Sequence, residues 1–479
     1  MDTVDVEAEV DKAIELACRQ FRASLVELGG DIQEDGVGFW KAEKRFSKAI
    51  IAFACRVLPA LLSLYDHGAK YVEHDGDIWR RGTDKKSKIY YSIWGEVEVE
   101  RWVYLKRGEA GGPQLVPLEH QAGLLGGEWT PHCAESIGRM VQSVPSREAR
   151  RNMEVVGLLP YSRSSFDRVA GLIGDRWEAG RHDLEDALIE AVDIPEEARG
   201  ISVAYDRVRL EMDETELDPQ EWPNGREQPR RIEGRMAYCA TVTLHDVEGE
   251  PLWTKRYGRV SNQPPDADVP GAGEFEIRQQ VEWDVDCLLE RAPRLKARKV
   301  VLTDGGPELE RIVDNDFSDW TRLCDLRHLM SYLADALEAE GLTDQQRAEQ
   351  LRAWTGRLKY HSRGVEVIEE YLADRRDIEE VDDALTYIEN RRERMRYKKA
   401  VINRLPIASG HVEATCKSLV QVRMRRSGQR WTKQGAQQVL NLRSLALSDV
   451  WSKGMSALMS RAVDEGIERA DDLCDAYAA

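Results

Sequence analysis

Two aspartates and a glutamate, far apart in the chain, are the residues that could do chemistry together. Asp206 lies in ISVAYDRVRLEM, Ile201 to Met212. Ala204, Val208, Leu210 and Met212 share one face by the strand period of two, and Asp206 falls on that same apolar face. An unpaired buried charge is costly, so the carboxylate needs a partner. That partner is either an arginine, of which Arg207 and Arg209 are nearest in sequence, or a metal ion. Asp304 closes a short apolar run, VVLTD, ahead of Gly305-Gly306. Such a run suits a strand buried on both faces, although Asp-Gly is also a common turn pair. Glu413 borders an apolar helix stripe of Val412, Cys416 and Leu419, in the first turn, where the helix dipole favours an ionised carboxylate. The same segment runs on through Arg423, Arg425, Arg426 and Arg430 to Trp431, a strip suited to phosphates. Metal carboxylates beside a basic strip are what phosphodiester chemistry requires.

The surrounding elements must bring these acids together. After Ile201 to Met212 comes a polar insertion, Asp213 to Gly234. MAYCATVTLH and LWTKRYGRV then flank Glu248-Gly249-Glu250 and read as two further antiparallel strands. A helix from about Glu274 to Arg291 leads to the strand ending at Asp304, and a further strand is expected at Arg322 to Leu326. Three antiparallel strands, a helix and another strand is the order of an RNase H-like core, mixed α and β. In that core the first strand carries an aspartate and the fourth ends in another. Strand ends are also where open α/β sheets place their ligands.

The rest of the chain divides by pattern. Residues 1–70 read as helical, with Ile14, Cys18, Phe21, Leu25 and Leu28 at helical spacing. Residues 71–125 read as a small β region and linker: KIYYSIWGEVEVERWVYLK alternates like a hairpin, with Gly95 near the bend. Residues 126–195 return to helix. Two patterns there, Ser146 to Leu159 and Ser162 to Ile173, could be a helical hairpin or a helix-turn-helix, with Ser162 or Ser164 as cap. Arg147, Arg150, Arg151, Arg163 and Arg168 suit the DNA-binding version. Residues 196–330 form the first part of the core, 331–400 a helical insertion broken at Tyr360 to Gly364, and 401–479 the second part of the core. The run RRERMRYKK, which includes Lys398 and Lys399, is either a solvated helix face or a grip on DNA backbone.

Composition bounds the reading. The 479 residues carry a net charge of -18, so any nucleic-acid contact has to come from local basic patches. Eight scattered cysteines without a CxxC pair exclude a zinc ribbon and a dense disulfide framework, and imply free thiols in a reducing compartment. The acidic N-terminus lacks a signal peptide's basic n-region, which implies the cytoplasm. The apolar run Ala49 to Tyr65 is interrupted by Arg56 and Pro59 and predicts a buried helix rather than a membrane span.

The chain from about residue 85 onward resembles bacterial insertion-sequence transposases of the ISKra type. The most specific part is SGHVEATCKSLVQVRMRRSGQRWTKQGAQQVLNLRSL, Ser409 to Leu445, which looks like the stretch around that family's catalytic glutamate. Asp206 matches the first family aspartate, Thr303-Asp304-Gly305-Gly306 the second, and Asp325-Leu326-Arg327-His328 a D-x-x-H element. The sequence departs from the family in having Arg207 where a glycine often stands, and Lys106-Arg107-Gly108 where relatives carry a cysteine pair. The resemblance implies a DNA transposase in which Asp206, Asp304 and Glu413 hold two Mg²⁺ ions, with Mn²⁺ as a substitute, and Asp325 and His328 support the site. It implies duplex DNA as partner, at transposon ends and target, and a homo-oligomer assembled on it near the nucleoid. Two other readings use the same residues: a domesticated DNA-binding protein without catalysis, and a nuclease that cuts without joining strands.

Overall fold

Two long helices open the chain in the computed structural model, which describes residues 6–34, 36–66, 68–106, 112–213, 232–261, 272–408, 415–463 and 467–470. They are α1 (Val6–Glu34) and α2 (Phe39–Ser63). Phe21 of α1 meets Phe46 and Phe53 of α2 at ring-centroid distances of 6.1 and 5.8 Å. Contrary to the expectation of a buried helix, α2 buries only Ala42 and Leu62 fully. Its partners, α1 and the β-hairpin described next, cover part of its circumference, and Phe39 and Trp40 stay exposed. By length and composition α2 is the one helix among the described residues that could cross a membrane.

The chain forms two compact units, Met1–Leu184 with Ser452–Ala479, and Glu185–Trp451. In the first, β1 (Tyr71–His74), β2 (Asp77–Arg81), β5 (Tyr104–Lys106) and β6 (Gln114–Leu115) share a sheet, while β3 (Lys86–Ser92) and β4 (Gly95–Arg101) pair as a separate hairpin. A two-residue strand, Glu468–Arg469, pairs antiparallel with β1. The described residues 467–470 therefore pair within this unit, whereas the sequence reading placed 401–479 with the core. Helices α3 (Pro117–Gln121), α4 (Pro131–Val141), α5 (Ser146–Val156), α6 (Arg163–Ala179) and α7 (Arg181–Glu190) follow. Gly157 ends α5 in the left-handed conformation, φ 79°, which glycine adopts without a Cβ penalty. The Ser162 hydroxyl caps α6 by accepting from Ser165 N–H at 3.2 Å.

The second unit is a five-stranded sheet between helical layers. Its strands are β7 (Gly200–Asp213), β8 (Ile232–His245), β9 (Pro251–Val260), β10 (Lys299–Thr303) and β11 (Thr321–Cys324), in the order β11-β10-β7-β8-β9. β8 runs antiparallel to β7 and β9, and β10 parallel to β7 and β11. Ile201, Val203 and Tyr205 of β7 face a core completed by α8 (Ala272–Arg291) and α9 (Pro307–Asp316). The opposite face holds two separate apolar clusters. Ala204 packs with Val300, Leu302, Leu323 and Ala400; Val208, Leu210 and Met212 pack with Cys416, Leu419 and Val420. Asp206 falls between the two clusters, so the interruption in the apolar face is the place where the carboxylate sits.

Residues 331–400 are helical and contain no strand. The layer comprises α10 (Leu326–Ala339), α11 (Asp344–Tyr360), α12 (Gly364–Ala373), α13 (Glu379–Arg391) and α14 (Tyr397–Ile402), around a core of Leu329, Leu333, Trp354, Ile368, Leu385 and Tyr397. A π-helical turn, Cys416–Gln421, continues into Val422–Met424 (together α15), and α16 (Lys433–Leu447) follows. A π turn disturbs the i→i−4 hydrogen-bond ladder. Arg443 of α16 donates to two carbonyls there, Nε to Leu419 O at 2.6 Å and Nη2 to Ser418 O.

Candidate active site

The strand register places the acids. Tyr205 of β7 is paired with Thr303 of β10, and Thr303 with Cys324 of β11. Asp206, Asp304 and Asp325 are each the next residue, so they follow one another along the same edge of three parallel strands. Adjacent strands lie about 4.8 Å apart. On the other side of β7, Asp206 is directly opposite Cys239 of β8.

Burial pushes the Asp206 carboxyl above its ordinary value, and the nearby Asp304 adds to the rise. A hydrogen bond from the Cys416 thiol, another from Arg207 N–H at 2.6 Å to Oδ1, and the His328 imidazole offset part of it. Cys239, hydrogen-bonded to Cys416, together with burial pushes the Cys416 thiol well up. It stays protonated and can donate to Asp206. Neither neighbouring arginine pairs its guanidinium with Asp206. Arg207 turns to Glu308 in the first turn of α9, with Nη1 2.7 Å from Oε1, and Arg209 to Glu211 at 3.4 Å.

The turn after β10 is held from the helical layer. Asp304 Oδ1 accepts from Gly306 N–H at 2.8 Å, which fixes its rotamer. Tyr387 Oη of α13 donates to Asp304 O at 2.9 Å. Arg391 donates to Gly305 O through Nε at 2.9 Å and Nη2 at 2.6 Å. Gly305 has φ 85°, and a Cβ there would stand 2.3 Å from Arg391 Nε, so both backbone and space require glycine.

Asp325 is buried and caps α10, accepting from Arg327 N–H at 2.7 Å. His328, one turn on, lies 5.4 Å from the Tyr332 ring and 5.8 Å from the Tyr387 ring, and these two tyrosines stack at 4.5 Å. His328 thus belongs to the aromatic group that carries Tyr387, and it is close enough to Asp206 to act on its charge.

Glu413, with Ser409 to Ala414, lies outside the described residues. Among the described residues no three His, Cys, Asp or Glu side chains form a group that could hold a metal ion. The basic strip divides. Arg423 is buried, its guanidinium 4.8 Å from the Trp431 ring, and Trp431 Nε1 donates to Met424 O at 3.1 Å. Arg423 is therefore not part of a surface phosphate strip. Its spacing of four from Leu419 turns it onto the apolar face. Arg425 and Arg430 are exposed, and Arg426 is half-buried with Nε on Val422 O at 3.2 Å. In RRERMRYKK the arginines serve internal pairs: Arg391 and Arg394 reach Glu310 at 3.5 and 3.3 Å, and Arg392 reaches Glu366 at 3.1 Å. Lys399 is exposed and Lys398 half-buried. In α5 and α6, Arg150, Arg163 and Arg168 pair with Glu154, Asp167 and Glu128 at 3.3, 3.6 and 3.6 Å. Arg147 and Arg151 are exposed.

Sequence reasoning missed Cys416, Tyr387 and Arg391 as parts of this site. Cys416 reads only as one more apolar stripe residue, and the other two as members of a charged amphipathic helix.

No protein-family model matches the chain, and no curated protein matches it. Among solved structures, the crystal structure of a pre-cleavage Mos1 transpososome matches at 11% identity over 62% of this chain and 82% of that one, with a TM-score of 0.14.

Proposed function

We propose that the chain is a DNA transposase of the ISKra type, with an RNase H-like core that cleaves transposon ends and joins them to target DNA. One observation carries the reading: Asp206 and Asp304 stand side by side, in register, at the ends of matched parallel segments of β7 and β10. The order of three antiparallel strands, a helix and a strand parallel to the first supports the RNase H-like assignment.

The carboxylate oxygens of Asp206 and Asp304 are the donor type that suits Mg²⁺ or Mn²⁺. Both ions prefer oxygen ligands, and a carboxylate destabilised by burial and by a second carboxylate is favoured by a cation. Asp206, Asp304 and Glu413 would be the ligands. Cys416, three residues after Glu413 in the sequence, hydrogen-bonds Asp206. Bound metal would supply water activation and leaving-oxygen stabilisation. The chain's own groups prepare for that. The Cys416 thiol and Arg207 N–H orient Asp206, and Gly306 N–H, Tyr387 and Arg391 hold Asp304 and its turn. Arg425, Arg426 and Arg430 would meet duplex phosphates, and duplex ends would bring copies of the chain together.

The test is Mg²⁺-dependent cleavage of an end-bearing duplex by the parent protein and by Glu413→Gln, paired with a mobility shift. The variant keeps its volume, loses one charge, and should bind DNA while cleaving orders of magnitude more slowly. Parent-like cleavage by Glu413→Gln would place the third ligand elsewhere. A parent that binds ends and cleaves under no divalent metal would be a DNA-binding protein on a transposase scaffold.

A further inference from the structure

A cleft in the helical layer has a composition of its own. It occupies about 400 Å³ where the end of α11 meets the start of α12 and the start of α14. That is within the roughly 300–1,000 Å³ of small-molecule sites. Four cationic side chains line it, Arg392, Arg396, Lys398 and Lys399, against two acids, Glu366 and Glu393. In a chain of net charge -18, that local excess is unusual. The two arginines are engaged: Arg392 with Glu366 at 3.1 Å and Glu369 at 3.4 Å, and Arg396 with Glu393. Lys398 and Lys399 have no ion-pair partner among the described residues, so the surplus charge is theirs. The first turn of α12, Gly364 to Glu366, also lines the cleft, and Arg363 at its N-cap makes no side-chain cap bond. A helix N-terminus adds to the attraction for an anion.

The remaining wall mixes His361, Ser362 and Tyr397 with an apolar part. Leu358, Val365, Met395 and Ile402 line it, and Ile402 is 68% exposed. A bare phosphate would use the lysines and waste this wall. Duplex DNA would do the same, since its bases are stacked and offer edges in the grooves, not faces. A nucleotide whose base is unstacked offers both chemistries at once, phosphate for the lysines and a planar apolar face for the wall.

We infer that this cleft binds a nucleotide presenting a phosphate and an unstacked base. The source is single-stranded DNA if the proposed function holds, because nicking and strand transfer expose unpaired ends; to that extent the inference rests on that reading.

The experiment uses the full chain and a fluorescent ten-nucleotide oligothymidylate, measured by anisotropy across a salt series, with a duplex of equal length, AMP and inorganic phosphate as further probes. Lys398→Gln with Lys399→Gln should weaken oligothymidylate binding tenfold or more and reduce its log–log salt slope by up to about 1.4. Ile402→Ser should weaken oligothymidylate and AMP but leave inorganic phosphate as it was. A thermal melt of each variant confirms folding. Oligothymidylate displaced only by high AMP assigns the site to a strand; AMP bound as tightly as the oligomer assigns it to a free nucleotide, with the same chemistry. Parent-like oligothymidylate binding by both variants overturns the inference, as does equal loss of duplex and single-strand binding. Cleavage by the parent protein is scored separately. A parent that binds through the cleft without cleaving sinks the transposase reading alone, and a parent that cleaves while the variants bind normally sinks this one alone.

Discussion

Asp206 and Asp284 are both aspartates taken out of water by the same sheet, on opposite faces, and they are treated in opposite ways. Asp284 of α8 is saturated. Lys255 Nζ and Tyr257 Oη each approach its Oδ2 at 2.5 Å, and Gln280 Nε2 donates to Oδ1 at 2.8 Å. Its charge is neutralised, every donor comes from the chain, and nothing is left for a ligand. Asp206 receives a thiol and one backbone N–H, has a second carboxylate for a neighbour, and has its adjacent arginine drawn off to Glu308. Burial alone therefore does not mark a functional acid. The mark is burial with incomplete compensation, because the missing charge has to be supplied from outside.

The comparison breaks most sharply through exchange of charge for an amide. Asp206→Asn should reduce metal-dependent cleavage at least about 100-fold, the scale of losing a charge-stabilising group, with the urea-unfolding midpoint unchanged or raised. A loss of fold instead would put Asp206 in the same class as Asp284.

Next in size is Lys255→Met. It leaves Asp284 buried without a countercharge, and should cost about 3–5 kcal/mol of stability. Adding Asp284→Leu should recover much of that loss, while cleavage per folded molecule stays at the parent level in both. Unequal cleavage would mean that the structural face communicates with the acids.

Arg443 lies between the two cases. Desolvation pulls its pKa down to about 10, with Arg426 adding to the effect, so it remains charged at neutral pH. Its compensation comes from the carbonyls of the π turn. Arg443→Met should cost about 1–3 kcal/mol, the penalty of leaving such acceptors unmet, read by urea unfolding. Cleavage should fall with it if the π turn sets the position of Cys416 against Asp206.

The smallest effect is electrostatic. The folded-state pKa of Asp206 is raised, so the folded protein holds this proton more tightly than the unfolded chain. Stability from this group is therefore lost as pH rises from the ordinary aspartate value of 3.8 through the folded pKa, and stays lost above it. With a chelator present, Asp206→Asn should melt above the parent at neutral pH, and the difference should vanish toward pH 4. The opposite sign would show that Asp206 is fully compensated.

What the sequence made legible follows period and composition. β7 spans Gly200–Asp213 against the expected Ile201 to Met212, because a clean period of two also locates the one acid that breaks it. β10 ends at Thr303, one residue before Asp304, and its buried Val300, Val301 and Leu302 match a run without polar alternation. Tertiary coverage was not legible. The hydropathy of α2 tells that it is apolar, not how much of it another element covers. Arg391 looked like one cation in a solvated run because its acceptor, Gly305 O, is far away in sequence. Arg423 was different: Cys416, Leu419, Val420 and Arg423 share one helical face, and the spacing that buries it was there to be read.

The grip of α13 on the turn at Asp304 also sets a clock. Tyr387 comes 83 residues after Asp304, and Arg391 comes 86 after Gly305. At the roughly 5–20 residues per second of ribosomal synthesis, the turn is made about 4–17 s before the side chain that clamps it. A nascent chain stopped in that interval carries Asp206 and Asp304 but lacks the side chains that hold the backbone of the turn. Completion of the acid pair is thus timed by the translation of the helical layer, and arrest within it leaves the turn unclamped however well the sheet has formed.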